Sequence, residues 1–197
     1  MSDVILKNIS KEFKGRMVLN DFSIIIEEGK SIAVMGHSGG GKSTLLNIIA
    51  GLVTPDSGEI QGLEEKKISY LFQTDRLFEN YSVMSNIKAV CPEASEEEIY
   101  EFLEELGLGI EFAEKKAGKL SGGEARRVAI ARTLLSRADL YLMDEPIRGL
   151  DAQLRESVTE TIRKRLEGKT AVIVTHDREE AERMGAGGNI RDIEAIY

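Results

Sequence analysis

The run Gly36-His37-Ser38-Gly39-Gly40-Gly41-Lys42-Ser43 constrains what this chain can become more than any other feature. It satisfies G-x-x-x-x-G-K-[ST], directly follows the short apolar stretch Ile32 to Met35, and opens a helical pattern from Gly41 to Ala50. Glycines let consecutive backbone N–H groups curl around phosphate oxygens, and the helix behind them adds its positive end. In such a loop Lys42 reaches the β- and γ-phosphates, Ser43 ligates Mg²⁺ and Thr44 bonds the α-phosphate. Phosphate loops of this kind lie at the carboxyl ends of buried parallel strands, so an α/β core is expected.

The later pattern agrees. Leu140 to Met143 leads into Ala152 to Leu166, and Ala171 to Thr175 leads into Arg178 to Met184, each a short apolar run followed by helical periodicity. Before the phosphate loop, Val4 to Ile9 and Met17 to Ile26 flank Lys14-Gly15-Arg16 and read as two strands of an antiparallel edge sheet. Gly51 to Gln73 reads as a connection, with Pro55 and Gly58 at turns. Between Ser82 and Ser136 strand signals stop. There Ser95-Glu96-Glu97-Glu98 reads as a capping box for a helix that buries Ile99, Phe102, Leu103 and Leu106 and ends at Gly107. The glutamates of this helix read as its solvated face. One domain over 1–197 is expected: 1–81 and 137–197 as a core carrying an antiparallel β subdomain, and 82–136 as an inserted helical subdomain. Ile190 to Ile196 is expected to add a last edge strand.

Composition removes several function classes. A formal net charge of −8 leaves no basic footprint for nucleic acid and no polybasic segment for anionic lipid. Cys91 is the only cysteine, which excludes an internal disulfide and a cysteine-built zinc site and reads as a buried thiol. Met1 to Ser10 has neither the basic nor the apolar region of a secretory leader, and no apolar run is long enough to span a bilayer. The expectation is a cytoplasmic protein, for which any membrane role requires a partner.

Leu140-Tyr141-Leu142-Met143-Asp144-Glu145 reads as a buried strand delivering two carboxylates, Asp144 for the Mg²⁺ shell and Glu145 to polarise an attacking water. Among phosphate-loop proteins the deciding segment is Leu120-Ser121-Gly122-Gly123-Glu124, followed by Ala125-Arg126-Arg127-Val128-Ala129-Ile130-Ala131-Arg132. Ser121 would cap a helix with Glu124 three residues on, and the glycines leave its N-terminus bare enough for a phosphate. Here the chain resembles the ABC ATPase family, from about residue 3 to residue 185.

The resemblance implies ATP and Mg²⁺ as ligands and a head-to-tail dimer, most simply of identical chains. In each composite site Gly36, His37, Ser38, Gly39, Gly40, Gly41, Lys42, Ser43 and Thr44 of one copy would face Ser121, Gly122, Gly123 and Glu124 of the other. It further implies that Phe13 stacks on adenine, that Gln73 reaches Mg²⁺ and the catalytic centre, that Gly149-Leu150-Asp151 is the D-loop, and that His176 joins Glu145 in catalysis. The chain departs from the commoner pattern at Phe13 for Tyr, Glu124 for Gln and Ile147-Arg148 for Thr-Ser, and it ends soon after His176, so a regulatory extension is not expected. A separate transmembrane permease is the implied partner, received by the segment Thr74 to Tyr81 with Leu77, Phe78 and Tyr81 as anchors. Among importers the small nitrate, sulfonate and taurine class is the most similar. The alternative is a soluble ABC mechanoenzyme or ATP-gated scaffold. A coiled-coil insertion, zinc cysteines or a second cassette would mark the mechanoenzyme and none occurs in these 197 residues, while Glu145 and His176 weigh against a scaffold.

Overall fold

A computed structural model describes residues 2–37, 39–187 and 189–193 of the chain. Strands β1 (Val4–Phe13) and β2 (Arg16–Ile26) pair antiparallel from Phe13 opposite Arg16 to Val4 opposite Ile26. Lys14 and Gly15 between them take φ of 50° and 81°, the two left-handed positions of a tight hairpin turn whose twist suits the flanking strands. The chain continues through β3 (Ser31–Met35), α1 (Lys42–Ile49), β4 (Ser57–Gln61) and β5 (Ile68–Leu71). Next come three helices, α2 (Val83–Lys88), α3 (Glu96–Glu105) and α4 (Gly122–Leu134). The last elements are β6 (Leu140–Asp144), α5 (Ala152–Leu166), β7 (Thr170–Val174), α6 (Arg178–Ala181) and β8 (Ile190–Asp192).

Two sheets result. The antiparallel one has the order β2-β1-β4, and the parallel one the order β5-β6-β7-β3-β8. Strict alternation assigns the two faces of the parallel sheet. Leu140, Leu142, Val172 and Val174 join α1 and the antiparallel sheet in one core, while Tyr141, Met143, Ala171 and Ile173 join the helices between β5 and β6 and helix α5 in the other. Helix α1 is thus clasped between two sheets, which fixes the loop in front of it. β8 is an edge strand as far as Asp192, and the expected strand residues 194–196 lie outside the described residues.

The reading of Gly51 to Gln73 as a plain connection is corrected, because it contains β4 and β5. β5 is only four residues long, too short for alternation to stand out, and its Ser69 hydroxyl donates to the Thr133 carbonyl at 2.9 Å. Gly58 marks no turn. It sits within β4 at φ 101° beside an irregularity in β1, where a Cβ would lie 2.6 Å from the carbonyl oxygens of both Lys7 and Asn8. Gly58→Ala should therefore cost about 2 kcal/mol from strain and overpacking and lower Tm by roughly 4–8 °C. Thermal unfolding followed by circular dichroism checks this, and an unchanged Tm would contradict the pairing of β4 with β1. The capping box expected at α3 is half made. Ser95 Oγ accepts from Glu98 N at 3.1 Å, but the Glu98 carboxylate turns instead to Arg137 at 3.0 Å. Cys91 is a buried thiol, pushed up to about 11 by burial.

Candidate active site

Because β6, β7 and β3 are adjacent and parallel, their carboxyl ends bring three distant stretches of sequence together. The phosphate loop leaves β3, Asp144 and Glu145 end β6, and Thr175-His176 leaves β7. Hydrogen bonds lock the ends in step: Glu145 N donates to Val174 O at 2.9 Å and Thr175 N to Val34 O at 3.4 Å.

In the loop Gly39 and Gly41 take φ of 81° and 89°, the left-handed conformation that turns successive N–H groups inward. Gly41 is also the N-cap of α1, and a Cβ there would stand 2.6 Å from the Val18 carbonyl, so the loop lies hard against β2. Ser38 lies outside the described residues. Lys42 is buried at the base of the loop, where its ammonium donates to Gly36 O at 2.6 Å and His37 O at 3.0 Å.

Lys42, Ser43, Thr44, Gln73, Asp144 and Glu145 line one cleft of about 200 Å³, together with Val18, Gly39 and Gly41. Asp144 is buried, and burial holds its carboxyl above the usual carboxylate range against the opposing pull of a hydrogen bond from Ser43. Ser43, Asp144 and Gln73 therefore offer a hydroxyl, a carboxylate and an amide oxygen around one space, a hard oxygen set suited to Mg²⁺ shared with phosphates. Among the described residues no group of three His, Cys, Asp or Glu side chains could hold a metal by itself.

Glu145 adopts φ 48°, a conformation uncommon for a residue with a side chain, and its carboxylate is nearly buried. His176 Nδ1 lies 2.9 and 3.0 Å from its two oxygens. A carboxylate accepts, so this contact is a hydrogen bond when the imidazole proton sits on Nδ1, and it holds Glu145 from one side. His176 itself remains largely exposed.

The remaining sequence candidates lie elsewhere on the same chain. Ser121 caps α4 in a full capping box, with Glu124 N donating to Ser121 Oγ at 3.3 Å and Ser121 N to Glu124 Oε2 at 2.7 Å. That backbone bond holds the Glu124 carboxyl below its ordinary value. A Cβ on Gly122 would meet nothing within 4 Å, so the helix start is bare, yet none of residues 121–124 lines the cleft. Asp151 caps α5, accepting from Gln153 N and Leu154 N at 3.1 and 3.0 Å. Phe13 ends β1 half-exposed, with Lys11 Nζ 5.4 Å from its ring centroid, and does not line the cleft. Residue-level reading missed Val18, which the β1–β2 hairpin folds over the loop, and Arg126, a buried guanidinium behind Glu145.

A family model described as ABC transporter matches residues 19–148, from β2 through the phosphate loop, α4 and the Asp144-Glu145 pair. The chain belongs to the ABC transporter family. It is similar over most of its length to ATP-binding cassettes, and its relatives agree. The spermidine/putrescine import ATP-binding protein PotA of Fusobacterium nucleatum is 35% identical over 91% of this chain and 52% of its own length. The ergothioneine transport ATP-binding protein EgtV of Helicobacter pylori is 33% identical over 92% of this chain and 93% of its own. The dimeric ATP-binding cassette MJ0796, in a post-hydrolysis state bound to ADP and Pi, superposes with a TM-score of 0.81 at 33% identity, covering 91% of this chain and 90% of that one. This ABC domain spans about half the length of several curated relatives it matches, PotA among them.

Proposed function

We propose that this ABC domain hydrolyses ATP between two head-to-tail copies of itself and thereby drives a separate membrane permease. The observation that carries the reading is the single cleft in which the phosphate loop, Asp144 and Glu145 converge, with His176 bonded to Glu145. Residues 39–44 and Lys42 in particular cradle the phosphates, and Phe13 stacks on the base. Ser43, Asp144 and Gln73 would hold Mg²⁺, which would neutralise phosphate charge. Glu145 orients a water in line with the γ-phosphorus, and His176 holds that carboxylate in place. The helix start, bare at Gly122 and not part of the lining of its own cleft, supports a composite site in which Ser121 to Gly123 meet the γ-phosphate of the other copy. In this reading 82–136 is a helical subdomain that swings against the core formed by 1–81 and 137–197.

Relatives of near-equal identity are named for polyamine and ergothioneine transport, so cargo is not written in this domain. Among the described residues no helix is long and apolar enough to cross a membrane, which supports peripheral attachment through a partner chain. The docking surface is the segment after Gln73. Phe78 and Tyr81 are exposed and pack edge to face at 6.0 Å, while Leu77 turns inward to the core. Asn86 fixes this loop by accepting from Phe78 N at 2.7 Å and donating to Phe78 O at 3.1 Å. An exposed aromatic pair that begins five positions after Gln73 suits a contact that reports nucleotide state to a partner. Phe78→Asp with Tyr81→Asp should abolish co-purification of a permease from native membranes while leaving ATP affinity unchanged. Full retention by the folded double variant would contradict the transporter reading.

A further inference from the structure

Helix α4 is buried on nearly every side, and Arg126 on it is 3% exposed. A guanidinium has five N–H donors in a rigid fork, and here all five find acceptors on two other stretches of chain, 72–75 and 144–146. Nε donates to Pro146 O at 2.8 Å, Nη2 to Asp144 O and Glu145 O at 2.7 Å each, and Nη1 to Phe72 O at 2.7 Å and Asp75 Oδ1 at 3.0 Å. Only Asp75 returns a charge, and its side chain is partly exposed. Even with its bonds complete a buried cation is often no more stabilising than a well-packed apolar side chain, so stability alone does not call for an arginine at this place. What the fork does specifically is grip the carbonyls of Asp144, Glu145 and Pro146, across the one described site residue besides glycine that holds a left-handed φ.

From this geometry we infer that Arg126 is a positioning residue for hydrolysis: it holds the backbone that aims the Glu145 carboxylate and ties it to the signature helix and to the Gln73 segment. The inference rests on the ATPase reading above. A signature helix shifted by a phosphate from the other copy would then move, through one side chain, both the carboxylate and the segment that carries Phe78.

Arg126→Lys separates this role from a purely structural one. Lysine keeps the charge but places three donors at one point and cannot span five acceptors. Arg127→Lys is the matched control. It is also a buried guanidinium on α4, but its bonds go to the carbonyls of Leu106, Gly107 and Gly123 and to none of residues 72–75 or 144–146. Using the full chain with Mg-ATP, Arg126→Lys should lower kcat ten- to a hundredfold, leave the ATP Kd within threefold of wild type and accumulate the ATP-bound dimer. Arg127→Lys should keep kcat within threefold. Arg126→Gln buries no charge at all and carries the same expectation should the lysine variant fail to fold. Wild-type kcat in either folded Arg126 variant overturns the inference, as does parallel loss of kcat and ATP affinity, or loss of folding by circular dichroism in both. Absence of turnover in the wild-type chain would instead overturn the ATPase reading, so the two failures are distinguishable.

Discussion

Lys42→Ala should weaken Mg-ATP binding by about a hundredfold or more. Charge-assisted hydrogen bonds contribute about 1.5–3 kcal/mol each, and about 1.4 kcal/mol is a factor of ten in Kd, so two lost phosphate contacts reach that figure. The fold sharpens the effect. The ammonium is pinned between the carbonyls of Gly36 and His37, and its removal leaves two bare oxygens beside the place an anion must occupy. No other lysine or arginine stands between Gly36 and Thr44 to take over. Calorimetric titration of the folded variant with Mg-ATP checks this, and an unchanged Kd would remove the phosphate-loop assignment.

Glu145→Gln should leave ATP affinity within a few-fold of wild type and reduce kcat on the order of a thousandfold, the contribution typical of a well-placed general base. The amide keeps the shape of the side chain and still accepts from His176 Nδ1 through its oxygen. The main-chain bonds that hold the residue, from its N–H to Val174 O and from Arg126 to its carbonyl, are untouched. What is lost is the negative charge that orients and polarises water. Phosphate release under saturating Mg-ATP measures the effect, and turnover at the wild-type rate would exclude Glu145 from the role.

The parts legible in the sequence were those carried by short-range pattern. The phosphate loop, the strand ending in Asp144-Glu145, the Ser121-Glu124 capping box and the helix from Ala152 to Leu166 each declare themselves within about fifteen residues, and each stands where the pattern indicated. What sequence reading missed depends on partners far away in the chain. β4 is a strand only because β1 bulges toward it and Gly58 tolerates the approach, so its glycine looked like a turn. Val18 lines the cleft because a hairpin folds it over residues twenty positions later. Arg126 was hidden for a different reason. Helix α4 is enclosed almost all round, so it has no polar face against which a buried arginine could stand out. A charged side chain within an enclosed helix next to a signature motif is the signal that could have found it.

The association state of the chain in ATP tests the central claim, a composite site between two copies, most directly. Multi-angle light scattering on Glu145→Gln should show 21.8 kDa without nucleotide and twice that mass with Mg-ATP, since the substitution blocks the hydrolysis that would release the dimer. Adding Ser121→Arg to the same chain, at a helix start that touches none of its own cleft, should abolish the doubling while ATP still binds. A Glu145→Gln chain that binds Mg-ATP yet stays at 21.8 kDa, or one that doubles in mass regardless of Ser121, would contradict the composite site.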